Sequence, residues 1–427
     1  MDKIILNQYQ SYYDISEKKG AVVDFLVGKI NYISKTSANL EIYEEFSHLY
    51  EEKSNILQKK LQRIISNRIN FTIIPTYLCN MNCEYCYEGD LKRIKKIMDI
   101  DYAEAIVKLL KEILKDERNK DIEFNILGGE PIMQRNMKFY DYLFKNIQNL
   151  SVSYKLNFIT NGLEIKKYIK NLKKYGITTC QITLDGSVET HNKRRIPIDT
   201  TINSFERVCE SIDCLLENNI YTYVRVNIDE QNINDLPELS EVVISKKWNN
   251  FKNFHIYLYP ISFSGHNPNK IYLEECEILN KVLSIFKSMP QKNRLFGLDF
   301  HGISFIDALR GNETPPLKFV FCDACRNQYV FDALGYIYSC WWGAGRDEFK
   351  IGEKFGNEYV LDDNRINKWR NRNITTISNC IKCKFKYICG GGCSYKAILR
   401  KGDLFKGNCY SFDKIIESYL RYLNDYQ

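Results

Sequence analysis

Three cysteines in the segment YLCNMNCEYCYEGD, Cys79, Cys83 and Cys86, follow a strand-like run, INFTIIPT, at C-x3-C-x2-C spacing. Three thiols this close together can wrap one metal centre, and soft thiolates select iron–sulfur clusters, zinc or Cu(I). The number of ligands is informative. A cubane [4Fe–4S] cluster ordinarily takes four Cys, so three leave one iron open to a substrate or cofactor. The alternative is a zinc site completed by a distant His or Cys. The chain holds 15 Cys in 427 residues. A chain of that length needs no covalent staples for its core, so these read as metal ligands, redox groups or small buried hydrophobes rather than disulfides.

Around this loop the sequence alternates. Strand-like runs occur at INFTIIPT, IEFNIL, YKLNFIT, ITTCQITL, YTYVRVNI and FHIYLYP, with helical patterns between them. In DYAEAIVKLLKEILKD, for instance, Ile106, Leu109, Leu110, Ile113 and Leu114 share one face. MKFYDYLFKNI, FERVCESIDCLLENN and LPELSEVVISKK repeat the pattern. Strands alternating with helices predict βα units around a parallel sheet, in an α/β fold, with chemistry at the carboxyl ends of the strands. Residues 1–68 form a separate N-terminal unit with no Cys, a strand-like KINYI and a helical stretch expected from about 38 to 65. The sheet region is expected over 69–265, bridging helices over 266–320 (one at 271–288), and a Cys-rich domain over 321–427 ending in an amphipathic helix.

That last region carries Cys322 and Cys325, then Cys340, then CIKCKFKYICGGGC with Cys380, Cys383, Cys389 and Cys393, and finally Cys409. A zinc-ribbon-like module is one reading of such an array. The net charge of +7 is mild for this length, and no basic run is concentrated enough to predict a nucleic-acid partner. No stretch approaches the roughly 18 apolar residues of a membrane span. MDKIILNQYQSYYD lacks a signal-peptide core, so a cytoplasmic location is expected. HExxH, G-x4-G-K-[ST] and GxSxG motifs are all missing from the sequence.

The first cysteine array, with aromatic Tyr85 just before its last Cys, resembles that of the radical S-adenosylmethionine (SAM) enzymes, and the family's other motifs follow in order. LGGEP (Gly128, Gly129, Glu130, Pro131) looks like the loop that binds the SAM amino group. Glycine there lets backbone approach a ligand closely, and a carboxylate can accept from an ammonium. TNG (Thr160, Asn161, Gly162) ends the third strand and TLDG (Thr183, Leu184, Asp185, Gly186) the fourth, with Thr183 at the ribose-contacting position. His191 and Arg195 fit an H-x3-R pattern of peptide modifiers, and Arg225 in VRVN is a candidate clamp for the SAM carboxylate. The resemblance covers roughly 69–265 and implies a partial (β/α)6 TIM-like barrel, with Tyr85, Asn161, Thr183, Arg195 and Arg225 among its SAM contacts.

The second region resembles the SPASM extension, which carries two auxiliary [4Fe–4S] clusters. By position it assigns Cys322, Cys340 and Cys393 to one, and Cys380, Cys383, Cys389 and Cys409 to the other. Cys325 is read as the fourth ligand of the first, the alternative being a free thiol beside an open iron. Cys180, Cys209, Cys214 and Cys276 are left as small core residues. The resemblance thus implies three [4Fe–4S] clusters and SAM, an electron donor of flavodoxin or ferredoxin type, and a 5′-deoxyadenosyl radical that abstracts hydrogen from a ribosomally made precursor peptide. An oxidative cross-link is the expected outcome, a Cys thioether first, with carbon–carbon cross-linking or formylglycine formation as alternatives. Sulfatase maturases carry Asp immediately after the Cys at the Cys340 position. Trp341 stands there instead and cannot accept a proton. Residues 1–68 are loosely similar to the winged-helix-like domain with which many peptide maturases bind a leader peptide, the alternative being a plain cap on the barrel.

Overall fold

The computed structural model describes residues 2–35, 40–45, 48–65, 67–115, 120–150, 152–262 and 272–425. The N-terminal unit is rich in strands. β1 (Asp2–Asn7) pairs in parallel with β5 (Leu40–Glu45), while β2 (Gln10–Ser16), β3 (Lys19–Asp24) and β4 (Lys29–Ser34) form an antiparallel sheet. The helix expected from 38 begins at His48 as α1 (His48–Ile65). Residues 40–45 are a strand because β1 supplies a full six-residue ladder for them. The first residues of that expected helix, at 38–39, lie outside the described residues.

The six expected strands form as β6 (Arg68–Ile74), β7 (Asp121–Ile126), β8 (Tyr154–Thr160), β9 (Thr179–Thr183), β10 (Tyr221–Ile228) and β11 (Phe254–Pro260). Each pairs in parallel with the next. Strand order therefore rises without reversal, the winding of a barrel rather than of a doubly wound sheet. The expected helices appear as α2 (Ile100–Ile113), α3 (Met137–Gln148), α6 (Ser204–Glu217) and α7 (Leu236–Ser245), joined by α4 (Ile165–Tyr175) and α5 (Val188–Arg194). Asp99 caps α2 by accepting from the Asp101 and Tyr102 amides.

The strands alternate in burial at period two. Phe124, Phe158, Ile182, Val226 and Leu258 are buried in the core, where the Tyr140 ring of α3 meets Phe158 edge-on at 5.7 Å between centroids. The alternate residues, including Asn125, Asn157, Gln181, Arg225 and Tyr257, are half-buried and line two cavities on the sheet's other face. One face thus forms the core and the other holds polar groups.

The sheet extends beyond the six strands. β12 (Phe296–Leu298) adds in parallel beside β11. From the Cys-rich region, β13 (Gln328–Asp332) adds in parallel to β6, followed by antiparallel β14 (Tyr336–Tyr338), β15 (Lys350–Phe355) and β16 (Glu358–Leu361). The junction turns on Asp332, which is fully buried and accepts from the Tyr77 hydroxyl at 2.8 Å, the Tyr338 hydroxyl at 3.1 Å and the Leu334 and Tyr336 amides at 3.0 Å. The helix expected at 271–288 runs from Glu275 to Ser288, and the terminal amphipathic helix from Phe412 to Asn424. The boundary expected at 265–266 lies outside the described residues. Among the described residues no helix is long and apolar enough to cross a membrane. Asp332→Ala orphans two phenols and two amides. It is expected to cost about 3 kcal/mol, read as a thermal unfolding midpoint lowered by several degrees under anaerobic conditions. An unchanged midpoint would show that the junction does not depend on this carboxylate.

Candidate functional site

The loop after β6 carries Cys79, Cys83 and Cys86 to the rim of a cavity of about 280 Å3 at the carboxyl ends of the strands. Hydrogen bonds hold the loop on two sides. The Asn82 amide donates to the Ile196 carbonyl at 2.7 Å, and the Ile198 amide to the Asn80 carbonyl at 2.9 Å. Lys92 Nζ donates to the Cys83 carbonyl at 3.3 Å. Tyr85, Gly128, Gly129 and Asn161, together with Thr183, Arg195 and Arg225, line this same cavity. Asn161 reaches the Cys loop directly, its Nδ2 donating to Asn80 Oδ1 at 2.7 Å.

Glu130 and Pro131 do not line it. Glu130 is fully buried, and both of its oxygens are engaged. They accept from the Thr160 hydroxyl at 2.7 Å and from the Asn161 and Ile132 amides at 2.8 Å. This carboxylate therefore fastens the end of β8 to the loop after β7. Burial pushes its carboxyl up to about 7, with the three donors pulling the other way. Pro131 offers its carbonyl to the Tyr140 hydroxyl at 3.0 Å.

Glu88, which the sequence reading passed over, lies in the cavity wall with both oxygens 2.9 Å from the Gly129 amide, and burial lifts its carboxyl to about 7. Gly129 has φ +40, and a Cβ there would run into the Leu78 carbonyl. The glycine thus lets the two loops touch backbone to backbone.

On the far wall, Asp185 of TLDG is fully buried. Its Oδ2 accepts from the Tyr85 hydroxyl, and its Oδ1 accepts from the Asn227 amide at 2.8 Å. Arg195 donates to the Tyr85 oxygen at 2.7 Å and lies 4.0 Å from Asp185. His191 Nδ1 accepts from the Asp185 amide at 3.1 Å. Burial, with Arg195 and Arg194 nearby, holds the imidazole well below its usual range, so it is neutral. The H-x3-R pair thus braces Tyr85 and the Cys loop. Arg225 packs on the Tyr259 ring at 3.7 Å and donates to Asn227 Oδ1 at 2.8 Å. Trp341 and Trp342, packed on Tyr87 at 5.3 and 5.9 Å, close the side toward Cys340.

The eight C-terminal cysteines fall into two groups. Burial pushes the Cys322 thiol well up, and Cys325, Cys340 and Cys393 add to the effect. Cys380 is raised to about 11 by burial and then by Cys383 and Cys409, and Cys389 to about 12 by burial and then by Cys380 and Cys383. Gly390, Gly391 and Gly392, at φ +67, +90 and +71, reverse the chain between Cys389 of one group and Cys393 of the other. Cys180, Cys209 and Cys276 are buried apart from these groups, and Cys214 is half-buried.

The donor set suits iron–sulfur clusters. Among the described residues no three Cys, His, Asp or Glu side chains converge tightly enough to hold a single ion, as a zinc site would require. A cubane binds one thiolate per iron and spreads its ligands further apart. The Cys79–Cys86 loop and both C-terminal groups offer thiols, the donors that iron–sulfur clusters take. Cys79, raised to about 12, and Cys86, raised to about 11, both chiefly by burial, are protonated when free. Ligation therefore releases protons.

Glu88 carries no motif of its own and Asp185 is legible only as a member of TLDG, because a carboxylate near a motif carries no signal of what it accepts from. The short distance of Glu88 from Cys86 was the available clue. Glu88→Ala leaves the Gly129 amide unpaired, at about 1–3 kcal/mol. Hydrogen exchange at that amide should quicken roughly tenfold or more, while Glu88→Gln, which keeps an acceptor, should stay slow. Equal exchange in both variants would remove Glu88 from this role.

Residues 73–243 match the radical SAM superfamily model. Radical SAM cyclopropyl synthase TigE of Paramaledivibacter caminithermalis is 22% identical over 96% of this chain and 92% of its own length. GTP 3′,8-cyclase of Helicobacter pylori is 26% identical over 70% of this chain and 92% of that enzyme. Among solved structures, anSMEcpe with bound AdoMet superposes with a TM-score of 0.60 at 18% identity, covering 83% of this chain and 96% of that one. Streptococcus suis SuiB bound to precursor peptide SuiA does so at 0.56 and 15% identity, covering 95% and 98%. The motifs, the winding of the parallel sheet and the superfamily match together mark residues 73–243 as a radical SAM domain, which the chain continues into a Cys-rich C-terminal region.

Proposed function

We propose that the chain is a peptide maturase that joins carbon to carbon within a ribosomally made precursor, using three [4Fe–4S] clusters and SAM. The observation that carries this reading is the position of the cavity, with the Cys79–Cys86 loop on one wall and Trp341–Trp342, next to Cys340, on the other. A reacting side chain held there lies between two thiol groups. SuiB, solved with its precursor peptide, supports the substrate class, and TigE, a cyclopropyl synthase, supports a bond from carbon to carbon.

When bound, SAM and its cluster supply a 5′-deoxyadenosyl radical able to take an unactivated hydrogen. This chain's residues do the positioning. Cys79, Cys83 and Cys86 would hold the cluster with one iron open. Asp185 and Arg195 fix Tyr85 from two sides, and Glu88 fixes the Gly129 amide, so the loops that would surround SAM are braced against one another. Arg225, steadied on Tyr259, is the cation available to a carboxylate. Tyr87, Trp341 and Trp342 exclude water from the reacting side.

Cys325 supports the choice of bond. It is buried in the same group as Cys322, Cys340 and Cys393, which supports four thiolates on the nearer auxiliary cube. A saturated cube has no open iron for a substrate thiolate, which favours a carbon–carbon bond over the thioether expected from sequence. Trp341 offers no base for formylglycine formation.

Anaerobic reconstitution should give about 12 iron per chain and SAM-dependent 5′-deoxyadenosine. Cys83→Ala should abolish that cleavage and leave the auxiliary clusters visible by spectroscopy. Stoichiometric zinc without cleavage would sink the radical reading. With its precursor, the enzyme should yield a product lighter by two hydrogens in which every Cys can still be alkylated. Loss of one alkylatable Cys would restore the thioether.

A further inference from the structure

We propose that the surface around the Cys79–Cys86 loop is the docking face for a small acidic one-electron carrier protein, with the basic run Lys92–Lys96 as its charged rim and Ile196 and Ile198 as its apolar contact. The inference rests on the radical reading above, which needs an electron delivered to this loop, and adds where the donor binds.

The loop meets solvent at its apex, where Asn82 and Glu84 on either side of Cys83 are exposed. The opposite side is closed by Tyr87 and the two tryptophans. An electron arriving from outside therefore has its shortest approach at the apex. Two segments clasp the loop and frame that approach. On one side Ile97 bridges to Thr76, the Thr76 hydroxyl donates to the Lys96 carbonyl at 3.0 Å, and the Met98 amide donates to the Pro75 carbonyl at 2.8 Å. This fixes a run holding Lys92, Arg93, Lys95 and Lys96, four cations in five positions, with Lys95 and Lys96 exposed. On the other side the 196–198 segment pairs with Asn80 and Asn82. It leaves Ile198 67% and Ile196 38% exposed, with Lys193 in solvent beside them. Glu84, Asp99, Asp101 and Asp199 are exposed carboxylates on or beside the same rim, against Arg93, Lys95, Lys96 and Lys193 in solvent. Arg194 and Arg195 are buried and already paired.

An apolar patch rimmed by charge suits transient electron-transfer partners, whose interfaces are small and electrostatically steered. Attraction acts within a Debye length and fades with salt. Docking makes and breaks no covalent bond. One electron leaves the donor's reduced centre, which is oxidised, and enters the cluster at Cys79, Cys83 and Cys86, which is reduced.

The test uses reconstituted full-length enzyme and a reduced ferredoxin, with cluster reduction followed by stopped-flow absorbance and SAM cleavage driven in parallel by dithionite. The Lys95→Glu/Lys96→Glu double variant and, separately, Ile198→Asp should slow ferredoxin-driven reduction about tenfold at low salt. The deficit of the charge variant should shrink at high salt, and dithionite-driven cleavage should be unchanged. Lys138→Glu/Lys145→Glu, the same charge change on α3, should have no effect. Ferredoxin rates equal to those of the unsubstituted enzyme in both test variants, or an equal loss in the α3 control, would overturn the proposed face. If the unsubstituted enzyme cleaved no SAM even with dithionite, the radical reading would fail instead.

Discussion

Strands of a parallel sheet hold one another by ladder hydrogen bonds, but the loops leaving their carboxyl ends share no ladder. Here that gap is bridged by three buried carboxylates. Glu130 binds the end of β8 to the loop after β7, Glu88 binds the Cys loop to Gly129, and Asp185 binds Tyr85 to the Asn227 amide of β10. Burying a carboxylate is costly unless hydrogen bonds compensate. The raised protonation points of Glu130 and Glu88 show how close that balance is. The result is a rim whose thiol-bearing loop, glycine-lined backbone and Arg195 are tied to one another by hydrogen bonds.

The parts of this chain that were legible in the sequence are those whose signal is local. Cysteine spacing is set within one loop, and the period-two alternation of β7 to β11 needs only one face of core and one of cavity. Contributions from distant segments were not legible. Residues 40–45 read as helix because the strand partner that makes them β5 lies at the other end of the unit. β12 and β13 are short runs whose places beside β11 and β6 depend on contacts far along the chain. Glu130 shows the limit at a single residue. Its motif suggested an acceptor for a ligand's ammonium, whereas three donors of the protein itself already bond its two oxygens.

The C-terminal region is part of the barrel's edge rather than an attachment to it. Asp332 joins the strand next to β6 to the tyrosine that precedes the Cys loop, and the run of three glycines assigns neighbouring cysteines to different groups. The N-terminal unit is tied in as well. Tyr13 donates to Asp413 at 2.9 Å, and the Ser54 hydroxyl and Tyr387 share a buried contact.

The pairing of β6 with β13 also bears on biogenesis. Tyr77 and Asp332 are 255 residues apart in sequence, and translation at roughly 5–20 residues per second separates their emergence from the ribosome by something under a minute. Through that interval the first barrel strand has a bare flank, an invitation to mispairing. The nascent polypeptide must shelter that flank until β13 has followed β6 out of the ribosome.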